Sequence, residues 1–146
     1  DFPWFVDART ALIAVILPTL WKSYPLITLT ILAAMQSVPH DLYEAADIDG
    51  ATRWQKFLWI TWPGIKGPTW LVLMITALAI FRDIDIIYAT TRGGPAGATE
   101  TLALFVYDEA FQFFRMGTAA AVGVLMVTIA FGITVVMTSL SARSKF

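Results

Sequence analysis

The run MGTAAAVGVLMVTIAFGITVVMTSL, residues 116–140, contains no charged side chain. A bilayer core about 30 Å thick is crossed by roughly 20 apolar residues in helical form, so this run is long enough to span. Its small residues recur four apart, as in Gly117 and Ala121 or Ala119 and Gly123. That spacing lets helices approach closely in lipid. The rest of the chain agrees with a membrane reading. Of its 146 residues, 58% are hydrophobic and only 14% charged, where soluble domains carry about a quarter charged. Mean hydropathy is +0.69.

Two more segments read as spans, giving an all-α integral membrane chain, one domain over 1–146, with three transmembrane helices at about 11–36, 69–88 and 116–140. The first carries Lys22, Pro18 and Pro25, and the prolines are expected to kink it. The second is apolar until Arg82, Asp83 and Asp85. The net charge of −1 leaves no basic face for nucleic acid. No cysteine is present, which excludes disulfides, thiolate metal sites and cysteine nucleophiles. His40, the one histidine, follows Pro39 at a helix start and reads as a surface residue. The chain opens Asp-Phe-Pro-Trp, without a basic region ahead of an apolar core, so no secretory leader is expected in it.

Between the first two spans lies a polar stretch, 39–68, that predicts two short helices. Gly50 stands where a helix ends on a left-handed residue. Thr52 with Gln55 three residues on makes a capping box for a second helix, which Pro63 is expected to end. Arg53, Lys56, Lys66, Arg143 and Lys145 flank this side, against Arg9, Arg92 and Arg115 on the other. The positive-inside rule therefore puts the 39–68 loop and the C-terminus in the cytoplasm. The 89–115 connection becomes external, with Gly93, Gly94, Pro95 and Gly97 as turn residues and 101–113 as a short surface helix.

The loop reads Glu44-Ala45-Ala46-x-x-Asp49-Gly50-Ala51, then Phe57, Ile60 and Pro63. This resembles the EAA loop of binding-protein-dependent ABC importers. Trp21-Lys22-x-x-Pro25, Gln36-Ser37-Val38-Pro39, Gly93-Gly94-Pro95, Thr99-Glu100-Thr101-Leu102 and Tyr107-x-x-Ala110-Phe111 resemble the carbohydrate-uptake permeases of that class. Trp62 replaces the family's usual leucine. The resemblance implies the C-terminal part of a type I ABC importer permease of roughly six spans, in the cytoplasmic (inner or plasma) membrane. It implies an ATP-driven sugar transporter, for a di- or oligosaccharide, without an active site in this chain. The implied partners are a second permease subunit, two cytoplasmic ATPase subunits that hold ATP and Mg, an extracytoplasmic sugar-binding protein, the sugar and membrane lipid. Glu44, Ala45, Ala46, Asp49, Gly50, Ala51 and Phe57 would couple to the ATPase. The chain has no Gly-x-x-x-x-Gly-Lys-Ser/Thr loop of its own, so ATP and other cofactors are expected on partners only.

Charges in a bilayer interior normally face a polar pathway. The resemblance implies that the spans on either side of the loop line the substrate path, with Thr19, Trp21, Lys22, Ser23 and Leu26 on one and Thr76, Ala79, Ile80 and Asp83 on the next. The other reading is that the charges reach the outer interface or brace the partner subunit. Arg82 and Asp85, three apart, are expected to pair. The alternative is an ion-coupled secondary transporter, in which these charges would be coupling sites and the helix–Gly–helix loop would have no purpose.

Overall fold

A computed structural model describes residues 4–143. The described residues form helices and turns without a strand. Helix α1, Ala8–Gln36, starts on Asp7, whose side chain accepts from the Arg9 amide at 2.8 Å, and runs through Pro18 and Pro25. Helix α2, Asp41–Ile48, and helix α3, Arg53–Lys56, make the two-helix loop. A π-helical turn, Phe57–Thr61, joins α3 directly to α4, Trp62–Phe81. After a break come α5, Asp85–Thr90, a compact turn, and α6, Leu102–Tyr107, which continues into a second π-helical turn, Asp108–Gln112. Helix α7, Met116–Arg143, follows; Lys145, counted above with the cytoplasmic charges, lies outside the described residues.

Pro63 does not end the second loop helix. The chain stays helical from Arg53 to Phe81, and the π-turn stands just ahead of the proline. Proline lacks an N–H and crowds the carbonyl four residues back. A π-bulge, in which the Trp62 amide reaches the Phe57 carbonyl, widens the helix at that place. The expected second span, 69–88, differs too. Its apolar part stops at Phe81, and Arg82 to Ile84 interrupt the helix before α5. Helices α1 and α7 are long and apolar enough to cross a membrane. The 69–88 segment is not among those; its helix runs Trp62–Phe81 and is interrupted where the charges begin.

Packing is concentrated on α4. It runs antiparallel to α1 and also meets α7, while α5 leans on α1 and α6 on α7. The buried apolar side chains, Ala11, Val15 and Ala34 of α1, Ile65 and Val72 of α4, Ala103 and Leu104 of α6 and Ala119 of α7, sit on these seams. Near the loop end the α1–α4 seam is tight: a Cβ on Gly64 would stand 2.7 Å from Val38 Cγ2. The outward faces stay apolar and exposed, as in Leu29, Val124, Val127 and Phe131. Such continuous apolar surface belongs in lipid or against other membrane helices.

Candidate functional site

The two-helix loop is built by its end groups. Gly50 takes φ +72°, its amide bonds the Asp47 carbonyl at 3.1 Å and the next amide, Ala51, reaches back to the Ala46 carbonyl at 2.9 Å. This is the Schellman arrangement, which satisfies the last carbonyls of α2. Nothing stands within 4 Å of a Cβ placed on Gly50, so the glycine is required by conformation and not by space. Thr52 then caps α3: its amide donates to Gln55 Oε1 at 2.8 Å, and its side chain accepts from the Gln55 amide at 3.4 Å. Both end signals were legible in the sequence. An ion pair between Lys56 and Asp47 was not, because it bridges the two helices across the turn. Tyr43 and the buried Thr61 also share a hydrogen bond of 2.8 Å between their hydroxyls, fastening α2 to the π-turn.

The loop presents a mixed surface. Glu44, Ala45, Asp49, Gly50 and Phe57 are exposed, and Ala46 and Ala51 are half-buried. Glu44 Oε1 lies 3.2 Å from Nδ1 of the exposed His40. Ile48 is 88% exposed, and Trp54 stacks on Phe57 at 5.6 Å with both rings open to the surroundings. An exposed aliphatic, an aromatic pair and an acid on one small rigid projection are the elements of a docking surface.

The second group lies on the α1–α4 seam, where the sequence expected a solute path. Lys22 Nζ contacts Asp83 Oδ2 at 2.8 Å and Asp85 Oδ2 at 3.1 Å. Arg82 and Asp85 do not pair: α4 has ended at Phe81, so the three-residue helical spacing no longer applies. Asp83 instead accepts from the Asp85 amide at 3.0 Å. For the same reason Asp83 does not continue a helical stripe from Thr76 and Ala79. A cavity of about 330 Å³ opens beside this cluster, lined by Thr19, Ile80, Asp83, Thr99, Glu100 and apolar neighbours. A groove of about 450 Å³ adjoins it through shared Leu20 and Ile80, and brings together Trp21, Ser23, Tyr24 and Thr76. Trp21 is 80% exposed. Thr19 and Ser23 spend their hydroxyl protons on carbonyls of their own helix, at 2.8 and 2.9 Å. Leu26 and Ala79 line neither space; Ala79 faces the other side of α4, towards α7. Glu100 and Tyr24 were missed as lining residues, since a loop acid far from α1 carries no local signal of its placement.

The residues 91–101 form an ordered turn and not a slack connection. Arg92, Gly93, Ala96 and Gly97 all have positive φ, the Gly94–Pro95 bond is cis, and Thr99 Oγ1 donates to the Gly94 carbonyl at 2.8 Å. Gly93 is packed so closely that a Cβ there would meet Leu104 Cδ2 at 3.2 Å. This turn delivers Ala98 to Thr101 to the cavity.

Known proteins resemble this chain along most of its length. The sulfoquinovosyl glycerol transport system permease protein SmoG of Agrobacterium fabrum is 35% identical over 91% of this chain and 43% of its own length. The trehalose/maltose transport system permease protein MalF of Thermococcus litoralis is 35% identical over 91% of this chain and 45% of its own. The sn-glycerol-3-phosphate transport system permease protein UgpA of Agrobacterium fabrum is 36% identical, over 88% and 44%. The chain thus spans about half the length of the curated relatives it matches. A family described as the inner membrane component of binding-protein-dependent transport systems matches residues 2–146, and the chain belongs to that family.

Proposed function

We propose that this chain is the solute-passing part of a permease subunit in an ATP-driven sugar importer. Its two-helix loop docks on cytoplasmic ATPase subunits, which carry ATP and Mg, and a second permease subunit completes the pathway. An extracytoplasmic binding protein delivers the sugar, a di- or oligosaccharide by analogy with the trehalose/maltose relative. The observation that carries the coupling reading is the Schellman turn at Gly50, followed after Ala51 and Thr52 by an unbroken helix from Arg53 to Phe81 that flanks the cavity. A push on α2 passes through the Lys56–Asp47 pair and the Tyr43–Thr61 hydrogen bond into α4, and α4 lines the solute seam. Trp21 and Tyr24 offer the ring faces that sugars stack on, and Thr76 a hydroxyl.

The test is co-purification of the ATPase together with ATP-driven uptake. Gly50→Pro forces φ near −65° where +72° is needed, so ATPase retention and uptake should both be lost while the spans still insert. Glu44→Ala should weaken retention more mildly. Normal retention and normal uptake in Gly50→Pro would overturn the coupling role.

A further inference from the structure

The cavity beside Lys22 has a sign. Its lining includes two carboxylates, Asp83 and Glu100, and, among the described residues, no cation. The nearby Lys22 is engaged, held by Asp83 at 2.8 Å and by Asp85 at 3.1 Å. Counting Lys22 against Asp83, Asp85 and Glu100, the group sums to 1 − 3 = −2. The nearby arginines stand outside the cavity lining. Arg82 lines the groove on the opposite side of α4, and Arg92 stacks on the Tyr88 ring at 5.1 Å. The cluster lies well inside the helix: from Lys22 to the start of α1 at Ala8 is roughly 20 Å at 1.5 Å per residue. Of Lys22, Asp83 and Asp85, Asp83, the one that lines the cavity, is the least exposed, at 21% against 50% for Lys22 and 77% for Asp85.

A separate observation concerns the hydroxyls of this seam. Thr76 is 8% exposed, and its Oγ1 is buried without a hydrogen-bond partner, although it lines the adjoining groove. Thr19, Ser23 and Thr69 on the same two helices all donate to their own helix carbonyls. A buried hydroxyl left unpaired costs about 1–3 kcal/mol, a cost removed when a ligand supplies the partner. An uncharged solute rich in hydroxyls does so, and its other hydroxyls donate to Asp83 and Glu100. A phosphate or sulfonate brings no donor to those carboxylates and adds like charge.

From these two observations we infer that the α1–α4 seam accepts uncharged polyhydroxylated solutes and rejects their anionic esters, with Asp83 and Glu100 as the discriminating residues. This rests on the transport reading above and narrows it to a charge class.

The chain lacks cysteine, so Ala98→Cys puts a single thiol on the cavity wall of the assembled transporter in membrane vesicles. Its reaction rates with a cationic trimethylammonium methanethiosulfonate and an anionic sulfonate one are compared with those of a free thiol. The cationic reagent should gain about fivefold or more relative to the free thiol. Glu100→Gln, an exposed and foldable change, should reduce that preference, and adding Asp83→Asn should reduce it further. Trehalose should slow the labelling of the Ala98→Cys variant and trehalose 6-phosphate should not. Equal rates for the two reagents, a preference unmoved by Glu100→Gln, or identical effects of the two sugars would overturn the inference. ATP-driven uptake that persists alongside such a result leaves the transport reading standing, whereas loss of ATP dependence removes both.

Discussion

Glu109 is 3% exposed, a burial that a carboxylate tolerates only with a partner. Its Oε1 accepts from Arg115 Nη2 at 2.5 Å, and the Arg115 amide donates to the Glu109 carbonyl oxygen at 2.7 Å. Both bonds hold the bend at Phe114, φ +55°, from which α7 starts. Arg115→Ala would leave a buried charge alone. Breaking a buried pair costs roughly 3–5 kcal/mol, and the half-open guanidinium brings the value to the lower end of that range. Glu109→Gln keeps an acceptor for Arg115 and removes the charge, so it should cost less. Thermal unfolding of the purified subunit ranks the two, and a Glu109→Gln variant that melts below Arg115→Ala contradicts the argument. Neither partner was legible beforehand. A glutamate among Phe105, Tyr107, Phe111 and Phe113 looks like an ordinary polar position, and only the fold reveals that α6 and α7 enclose it. Gly50 is the opposite case. Its role follows from a backbone conformation that glycine alone adopts freely, so local sequence suffices.

The element that departs most from expectation is α4. Local rules pointed to Pro63 as a terminus and to an Arg82–Asp85 pair, and both fail because they assume an unmodified α-helix around those residues. A π-turn accommodates the proline, and the helix ends one residue ahead of the charges. What the sequence could not display was the partner 61 residues away, Lys22, which draws Asp83 towards α1. Two glycines of α4 then make a matched test of how it packs. Gly67 has open space around it, whereas Gly64 lies against Val38. Alanine is worth about 0.8–1 kcal/mol more than glycine inside a helix. Gly67→Ala should therefore raise the melting temperature. At Gly64 the same gain is opposed by a methyl forced to 2.7 Å from a stiff, branched valine, and overpacking of this kind costs roughly 1–3 kcal/mol. Gly64→Ala should lower the melting temperature, and Gly64→Ala with Val38→Ala should recover it. A Gly64→Ala variant as stable as Gly67→Ala would mean that α1 and α4 do not close together at this end.

For the whole molecule, the order of the helices and their contacts set which ends lie together. α1 runs towards the two-helix loop, α4 returns beside it, and α7 passes α4 near Met126 to Ala130. The 82–101 segment packs against the first half of α1, with Ile86 and Ile87 beside Leu12, Val15 and Ile16 around the cavity. The connection after α4 is thus partly a wall of the bundle, not a loop lying wholly beyond it. Glycines 117, 123 and 132 of α7 face open space, leaving that helix free to meet another one closely. If α1, α4 and α7 each cross the bilayer, as the sequence expects, the loop and the C-terminal end fall on one side and Ala96 on the other. The excess of Lys and Arg around the loop argues that its side is the cytoplasm. Single cysteines at Thr52, exposed at the head of α3, and at Ala96, exposed on the turn, separate the two orientations. In intact cells an impermeant thiol reagent should label Ala96→Cys at once and Thr52→Cys only after the membrane is opened. Cysteine at Ala96 keeps a β-carbon where one already stands, so its φ of +48° brings no new strain. Labelling of Thr52→Cys alone in intact cells would invert the molecule and move the docking surface outside. Equal labelling of both would mean that α1 and α4 do not carry the chain across the bilayer and back.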